Sequence, residues 1–356
     1  MNIEEKINSL IQYRDRYGTE SKISDMRKLL SEILSDYSAD DFEYIMQTAR
    51  NITDAIYGKK IYIRGLIEFT NYCKNDCFYC GIRSSNFGIE RYRLSMEEVL
   101  KCCERGYKLG LRSFVIQGGE DMSYKDDFYI EVIQKLKQYY PDSAVALSIG
   151  ERSYDSYKSY KDAGADRYLL RHETASREHY GKLHPPKMSY DNRMECLRML
   201  KSLGYQTGCG IMVGSPFQTR DNLVEDIIFM HSFKPEMIGI GPFIPCASTP
   251  FEQYSKGSVD DTLMVIALMR ILCPNVLMPS TTALGSADKQ GRIRGLMAGC
   301  NVVMVNISPA LQRVKYNLYN NKAVTAFDAI EDVAHIKQEI SEAGFEFCNQ
   351  RGDYIR

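Results

Sequence analysis

The stretch YIRGLIEFTNYCKNDCFYC, residues 62–80, determines how the rest of the sequence is interpreted. Its first part, Tyr62–Phe69, is rich in β-branched and aromatic residues and predicts a buried strand. Its second part carries three cysteines in the spacing C-x3-C-x2-C, with Asn, Lys and Asp among the residues between them. These polar residues predict a loop, because a core strand would have to bury them. The stretch therefore predicts a strand that ends in a cysteine-bearing loop.

Downstream of this stretch, short β-rich runs alternate with helical segments that end at glycine. Ser95 and Glu98, for example, form a capping box before one such helix, and Gly110 follows it. The alternation predicts βα units in an α/β fold with a parallel sheet. Eight candidate strands predict a complete (β/α)8 barrel of the TIM type, with a doubly wound sheet as the main competing architecture. The candidate strands are Tyr62–Phe69, Ser113–Gln117, Val145–Ser148, Tyr168–His172, Thr207–Val213, Met237–Gly241, Val276–Ser280 and Val302–Asn306.

Helical segments flank the predicted barrel at both ends. Residues 1–60 carry apolar residues spaced by three and four, and Ser38 is placed to cap a helix that runs to Tyr57. We expect residues 1–60 to form an N-terminal helical extension and residues 61–356 to form the barrel. Ala326–Ala343 is predicted to be a C-terminal helix that covers the barrel.

Composition and charge exclude several functional classes. Of the 356 residues, 44% are hydrophobic and 26% are charged, as in an ordinary globular protein. A formal net charge of -1 gives no reason to expect nucleic acid or an anionic membrane as a partner. The N-terminus is polar and no apolar run reaches membrane-spanning length, so we expect neither a signal peptide nor a transmembrane helix. Eleven cysteines in so long a chain favour cytoplasmic thiols that bind metal over disulfides.

Cys73, Cys77 and Cys80 are the candidate metal ligands. Three thiolates on one short loop can hold three irons of a [4Fe–4S] cluster and leave the fourth iron open to a chelating substrate. A structural zinc site would need a fourth ligand nearby. The nearest histidine, His172, lies far along the chain, and the next cysteines fall on a predicted helix. Three buried core cysteines are the alternative interpretation, which the polar residues between them disfavour.

The motif C-x3-C-x-(aromatic)-C after a first barrel strand resembles the radical S-adenosylmethionine (SAM) superfamily. In that family the open iron chelates the methionine part of SAM, and the reduced cluster cleaves SAM to a 5′-deoxyadenosyl radical. The resemblance implies that Tyr79 lies beside the adenine, although packing alone would also explain an aromatic residue here. It implies no catalytic residue beyond the cluster and the cofactor.

Polar residues after other predicted strands complete the cofactor site that this resemblance implies. Gly118-Gly119-Glu120 follows the second strand and is similar to a turn that binds the amino group of SAM, although a Gly-Gly pair alone is more often an ordinary turn. Ser148, at the end of the third strand, is assigned to the same set. Glu173, after the fourth strand, is suited to bind ribose hydroxyls or the ammonium group. Arg193 is either a partner of the SAM carboxylate or a solvated helix-face arginine.

Further segments resemble the HydE family of [FeFe]-hydrogenase maturases, which belongs with biotin synthase and methylornithine synthase. The resemblance covers about residues 60–310 and implies a small-molecule substrate, an iron–cysteine carbonyl–cyanide complex made by a partner maturase. It also implies that Arg171, Thr281 and Thr282 bind an anionic or cyanide-bearing ligand inside the barrel. Without the resemblance, the two threonines are best explained as β-branched residues of the seventh strand. The similar segments are residues 64–69, 91–93, 167–174, 239–245 and 281–283.

The sequence departs from the HydE pattern in two places. Some HydE proteins carry a second cluster on C-terminal cysteines, but residues 320–343 contain no cysteine. We therefore expect a single cluster. The loop at residues 308–315 also lacks an aromatic residue, which differs from the family pattern.

Two other functions remain open on the sequence alone. An amino-acid rearrangase similar to methylornithine synthase would share the barrel and act on lysine, but the sequence RHET at residues 171–174 favours HydE. A non-radical iron–sulfur or zinc carrier would not need the turn at 118–120, Glu173 and Arg193 to face the cluster, so it ranks last. His172 is interpreted as a hydrogen-bonded structural histidine, because no metal-ligand spacing accompanies it.

Overall fold

A ring of eight parallel strands forms the centre of the protein, which confirms the predicted (β/α)8 architecture. The computed structural model describes residues 1–15, 20–320, 322 and 329–355. All eight predicted strands are present. They are β1 (Lys60–Thr70), β2 (Ser113–Gly118), β3 (Ala144–Ser148), β4 (Arg167–Leu169), β5 (Gln206–Val213), β6 (Met237–Pro242), β7 (Pro279–Ser280) and β8 (Val302–Asn306).

The strands are ordered β6-β5-β4-β3-β2-β1-β8-β7, so strands that are consecutive in the chain are neighbours in the sheet. The ring closes between β6 and the lead-in to β7, where Met237 bridges to Leu277. The Ile238 N–H donates to the Leu277 carbonyl at 3.1 Å, and the Leu277 N–H donates to the Glu236 carbonyl at 3.0 Å. Because all strands of a parallel ring point the same way, the loops that follow them meet at one face.

Side chains of β1 alternate between the inside and the outside of the ring. Ile63 and Ile67 are fully buried in the large apolar core that includes the surrounding helices. Leu66, which points to the opposite face of the strand, packs with Val115 of β2 and Ala146 of β3. This period of two is what a closed barrel with a packed interior requires.

Three helices precede the barrel, as predicted for the N-terminal segment. Ser38 caps the third of them through a capping box, in which its Oγ accepts a hydrogen bond from the Asp41 N–H at 3.1 Å. The helices are α1 (Ile3–Asp15), α2 (Glu20–Ser35) and α3 (Ala39–Tyr57).

Further helices cover the outside of the ring. The predicted capping box of Ser95 and Glu98 is present at the start of the first one. None of the helices in the described ranges has the length and apolar character needed to cross a membrane. These helices are α4 (Met96–Lys108), α5 (Asp126–Tyr139), α6 (Tyr154–Asp162), α7 (Arg177–Leu183), α8 (Tyr190–Ser202), α9 (Arg220–Phe233), α10 (Val259–Leu272), α11 (Thr282–Ala287), α12 (Gly291–Met297) and α13 (Ala310–Arg313). The N-terminal helices dock here, with α3 against α10 and α2 against α9.

Two strands are shorter than predicted. β4 ends at Leu169 rather than at His172, and the chain rejoins the sheet only through a bridge between Glu173 and Ile211. β7 comprises only Pro279–Ser280. The Met278 N–H, which a longer strand would use to pair with its neighbour, donates instead to the Asn301 side-chain oxygen at 2.9 Å.

The C-terminal segment contains one helix and one strand that was not predicted. The helix, α14, spans Ala329–Glu342 and packs against β8, which agrees with the predicted cover. Residues 326–328 of the predicted helix lie outside the described residues. The additional strand, β9 (Glu346–Cys348), pairs in parallel with the beginning of β1. At the base of the barrel, Arg167 donates to Asp353 Oδ1 and to the Gly352 carbonyl, both at 2.8 Å.

Candidate active site

A cavity of about 300 Å³ lies among the C-terminal ends of the strands. Its lining includes all three predicted cluster ligands and every predicted cofactor residue, and two of the three predicted substrate residues. These residues lie at the ends of five different strands, β1, β2, β3, β4 and β7, or in the segments that follow them. The predicted residues that line the cavity are Cys73, Cys77, Tyr79, Cys80, Gly118, Gly119, Glu120, Ser148, Arg171, Glu173, Arg193 and Thr281.

The cysteine loop, defined as residues 71–91, is braced by two charged side chains. Arg83 binds Asp76 through two parallel hydrogen bonds of 2.8 and 2.6 Å, and this contact holds the pKa of the Asp76 carboxyl well below its usual range. The Arg91 guanidinium donates to the backbone carbonyls of Asn71, Ile82, Arg83 and Asn86. A planar guanidinium with five donors can tie several carbonyls together at once. The loop is therefore held by its own side chains.

The three cysteines fit an iron–sulfur cluster. Burial raises the pKa of the Cys73 thiol, raises that of Cys77 to about 12, and raises that of Cys80 well above its usual range. Such thiols stay protonated at neutral pH until a metal ion replaces the proton. In the described ranges, no three His, Cys, Asp or Glu side chains converge as one metal ion requires. A [4Fe–4S] cluster does not need three ligands around one metal ion, because each of three irons binds one thiolate.

The glycine turn after β2 packs directly on the cysteine loop. A Cβ on Gly119 would lie 2.2 Å from the Tyr72 carbonyl oxygen, so only glycine allows this approach. The Glu120 N–H lies 3.4 Å from Cys73 Sγ, and the Lys74 N–H donates to the Glu120 carbonyl at 3.0 Å. The turn and the cysteine loop thus form one side of the cavity.

Glu173 and Arg171 bring opposite charges into the cavity. Glu173 Oε2 lies 3.1 Å from Arg171 Nη2, and both atoms lack a hydrogen-bond partner, as does Arg171 Nε. Glu120 Oε2, which faces Lys74 Nζ at 3.2 Å, is also without a hydrogen bond. Buried polar atoms with unused bonding capacity are expected where a polar ligand binds.

Arg193 is not a solvated helix-face arginine, so that alternative is wrong. Its side chain is buried, pairs with Glu151 Oε1 at 2.5 Å and donates to the Arg171 carbonyl at 2.7 Å. Glu151 was not predicted. Its position just after β3, next to Gly150, is the signal that could have identified it, because residues at that face of a barrel line the active site.

The two predicted threonines are separated by the start of a helix. Thr281 caps α11, accepts a hydrogen bond from the Leu284 N–H and lines the cavity. Thr282, the first residue of α11, lines a neighbouring cavity together with Glu68 and Asn306. The interpretation of both as residues of the seventh strand is wrong, because β7 ends at Ser280.

Two tyrosines in the lining were missed by the sequence analysis. Tyr316 and Tyr319 follow α13 and, with Leu318, line the cavity. Burial raises the pKa of Tyr319 to about 12. Their position after β8 was the available signal, because the segments that follow barrel strands line the active site. The Tyr79 hydroxyl, at the same face, contacts His184 Nε2 at 3.2 Å.

His172 has the structural role that was predicted for it. Its Nδ1 accepts a hydrogen bond from the Gly210 N–H at 3.2 Å, and burial lowers its pKa to about 3. The ring is therefore neutral at physiological pH, and it does not line the cavity.

Comparison with known proteins identifies the family of the chain. Residues 67–230 match the family model of the Radical SAM superfamily. The chain is 42% identical to the [FeFe] hydrogenase maturase subunit HydE of Thermotoga maritima over 296 residues, which cover 83% of this chain and 84% of that protein. It is 29% identical to the 3-methylornithine synthase of Methanosarcina acetivorans, over 77% of each chain.

A solved structure gives the same result for the fold. The crystal structure of methylornithine synthase (PylB) superposes with a TM-score of 0.81 at 25% identity, covering 96% of this chain and 97% of that one. The chain therefore belongs to the radical SAM superfamily and, within it, to the family of HydE, with methylornithine synthase and biotin synthase as relatives.

Proposed function

We propose that this chain is a HydE-type enzyme that holds one [4Fe–4S] cluster on Cys73, Cys77 and Cys80, binds SAM beside it, and acts in the assembly of the [FeFe]-hydrogenase cofactor. The observation that carries the proposal is that groups far apart in the sequence meet in one cavity. Its lining includes the three thiols, the glycine turn, Glu173 and Arg193. A metal carrier would not need the glycine turn, Glu173 and Arg193 beside its metal ligands.

Each residue of the cofactor set has a role in this proposal. The turn at Gly118, Gly119 and Glu120 receives the SAM amino group, because its backbone can approach closely and its carboxylate has an unused oxygen. Arg193 supplies a positive charge for the SAM carboxylate. Ser148 and Glu173 accept or donate hydrogen bonds to the ribose, and Tyr79 packs against the adenine.

Part of the cavity wall is apolar. When bound, the cluster and SAM would supply a 5′-deoxyadenosyl radical. Apolar side chains in this wall hold less water beside such a radical than polar ones would. These apolar residues are Leu169, Met212, Phe243 and Leu318.

The substrate in this proposal is a small iron–cysteine carbonyl–cyanide complex that a partner maturase supplies. Arg171 supports this assignment, since its Nε and Nη2 atoms are buried without a hydrogen bond among the described residues, and a guanidinium with free donors suits an anionic guest. Thr281 lines the same space, whereas Thr282 would contact a ligand that extends into the neighbouring cavity. We place the reaction in the cytoplasm, with other hydrogenase maturases as partners and without nucleic acid or a membrane.

A rearrangement of an amino acid, as in methylornithine synthase, is the second candidate. The TM-score of 0.81 with PylB favours it, because the two barrels have nearly the same shape. The higher identity to HydE, 42% against 29%, favours maturation.

The test begins with the protein purified and reconstituted with iron and sulfide without oxygen. After reduction we expect 5′-deoxyadenosine from SAM, measured by chromatography. No product, together with tetrahedral zinc in X-ray absorption, would overturn the radical assignment. Addition to a cell-free hydrogenase maturation mixture that lacks HydE then separates the two radical functions. Restored hydrogenase activity supports maturation, and conversion of added lysine to methylornithine supports the rearrangase.

A further inference from the structure

Glu173 adopts a backbone conformation that its own side chain does not favour. Its φ is 68°, in the left-handed region that residues other than glycine rarely occupy. Its side chain is nevertheless placed in the cavity wall, beside Arg171. A strained residue of this kind persists only where the surrounding structure holds it, and such residues cluster at ligand sites. The contacts on either side of Glu173 therefore decide where its carboxylate lies.

The residues before Glu173 are held by β5. The Glu173 N–H donates to the Gly210 carbonyl at 3.0 Å, and the Gly210 N–H donates back to His172 Nδ1 at 3.2 Å. Gly210 is necessary here, because a Cβ would lie 2.0 Å from the Gly239 carbonyl oxygen. Gly210 of β5 thus binds two successive residues of the loop, one through its carbonyl and one through its N–H.

The residues after Glu173 are held by a single side chain from α9. Asp226 Oδ1 accepts a hydrogen bond from the Ala175 N–H at 2.5 Å. The Thr174 side chain lies beside the same carboxyl and lowers its pKa. The Ala175 carbonyl in turn accepts from the Tyr190 hydroxyl at 2.7 Å. Asp226 is therefore the point at which the loop is tied to the helix layer.

The surroundings of Asp226 give no other reason for a carboxyl group. It is completely buried in α9 among the apolar residues Leu223, Ile227 and Met230, and burial raises its pKa well above the usual range. Its Oδ2 has no hydrogen-bond partner. His172 Nε2, which also has none, lies 3.9 Å from Asp226 Oδ1. Since Nδ1 accepts a hydrogen bond, the proton of this neutral ring is assigned to Nε2, on the side of Asp226.

We infer that Asp226 is a positioning residue that holds the loop at 172–175 so that the Glu173 carboxylate faces the cofactor. The inference rests on the proposed function for the identity of that cofactor, SAM. Asp226 itself does not line the cavity, so it acts only through the loop. Without its carboxyl group, the loop loses the hydrogen bond at Ala175 and the contact at Thr174, and Glu173 relaxes to an ordinary backbone conformation away from the cavity.

The test compares Asp226→Leu, Asp226→Asn and Thr174→Val in protein that carries the reconstituted cluster. Supporting residues of this kind change ligand affinity by about 10- to 100-fold. We expect the Leu variant to weaken SAM binding by about tenfold or more, with a smaller change in kcat than in KM. The Asn variant keeps an oxygen acceptor for Ala175 and should stay within about threefold of the original affinity. Thr174→Val should fall between them, and it carries the test if the Leu variant does not fold.

The matched control is Met230→Ala, which truncates another fully buried side chain of α9 and removes no hydrogen bond to the loop. It should lower the Tm through a cavity and leave SAM affinity unchanged. Equal loss of SAM affinity in Met230→Ala and Asp226→Leu, or unchanged affinity in the Leu variant, would overturn the inference.

Hydrogen exchange without SAM separates this inference from the proposed function. The Ala175 amide should exchange faster in Asp226→Leu and Thr174→Val than in the original protein, while its exchange should be unchanged in Met230→Ala. Protein that shows this pattern but binds no SAM would refute the proposed function and retain the positioning role. Unchanged exchange at Ala175 in both loop variants would refute the positioning role.

Discussion

The cysteine loop and the proposed substrate contacts differ in how their polar groups are satisfied. In the cysteine loop, Arg91 donates to four backbone carbonyls and Arg83 is paired with Asp76. Arg171, in contrast, keeps two nitrogens without a hydrogen bond, and its one ionic contact is Glu173. Both regions line the same cavity.

This difference matches two kinds of ligand. A resident cluster needs a loop that holds its shape while metal is loaded, and internal hydrogen bonds provide that shape. A substrate that binds and dissociates needs side chains with free hydrogen-bond donors or acceptors. Groups that already have hydrogen-bond partners would gain no binding energy from it. The following predictions test the comparison, beginning with the largest effect.

Replacement of Cys77 by alanine should abolish 5′-deoxyadenosine formation. A cluster with only two protein ligands is not retained, so the iron content of the reconstituted protein should fall with the activity. The same result is expected for Cys73→Ala and Cys80→Ala. Cys102→Ala is the control, because Cys102 is buried in α4 outside the cavity and should keep both iron and activity. SAM cleavage by any of the three loop variants would show that the ligands are misassigned.

Arg91→Met should reduce cluster loading without removing a ligand. Hydrogen bonds to a charged group contribute about 1.5–3 kcal/mol each, so the loop should lose much of its order. Iron content after reconstitution, together with hydrogen exchange of the loop amides, measures this effect. Arg112→Met is the matched control, since Arg112 also donates to two carbonyls but lies outside the cavity. Full loading of the Arg91 variant would contradict the view that the loop is braced by this side chain.

Arg171→Met should affect the substrate more than the cofactor. We expect substrate-dependent turnover to fall by about tenfold or more, in line with the loss of a charged hydrogen bond of about 1.5–3 kcal/mol. SAM cleavage without substrate should persist. The two rates are measured on the same reconstituted protein, with Arg171→Lys as the variant that keeps the charge. Loss of both rates in equal measure would place Arg171 in the cofactor site instead.

His184 should make the protein less stable in acid. Burial lowers its pKa to about 3, from the usual 6.5, so the unfolded chain binds one more proton here between these pH values. The free energy of unfolding should therefore fall as the pH falls, by about 2 kcal/mol between pH 6.5 and 5. Denaturant titrations at pH 7 and pH 5 should show a smaller loss in His184→Gln than in the original protein. Equal losses would mean that the buried ring is protonated without penalty.

Much of the fold could be predicted because its signals are local. Strand and helix periodicity, together with capping residues such as Ser38 and Ser95, depends on neighbours a few positions away. The eight strands were found for this reason. β9 was missed because three residues without a clear pattern become a strand only by pairing with β1.

The site also has features that local sequence reveals and features that depend on distant segments. The cysteine spacing and the glycine turn are readable in the sequence because each lies on one short segment. Glu151 became visible only as the partner of Arg193, since the two meet across more than forty positions of the chain. Thr281 and Thr282 are adjacent in sequence and both line the neighbouring cavity, but only Thr281, the extended N-cap of α11, also lines the cavity of the cysteines.

The sequence by itself predicted the barrel and the three-cysteine loop from local pattern and spacing, and the kind of cofactor from its resemblance to the radical SAM superfamily. Only the tertiary structure decided which polar groups are already satisfied and which are left for a ligand. Arg91 and Arg171 are both arginines in segments that follow strands, and periodicity and spacing do not distinguish them. Folding surrounds the first with carbonyl oxygens, whereas among the described residues Nε and Nη2 of the second have no hydrogen bond and Nη2 faces only the Glu173 carboxylate.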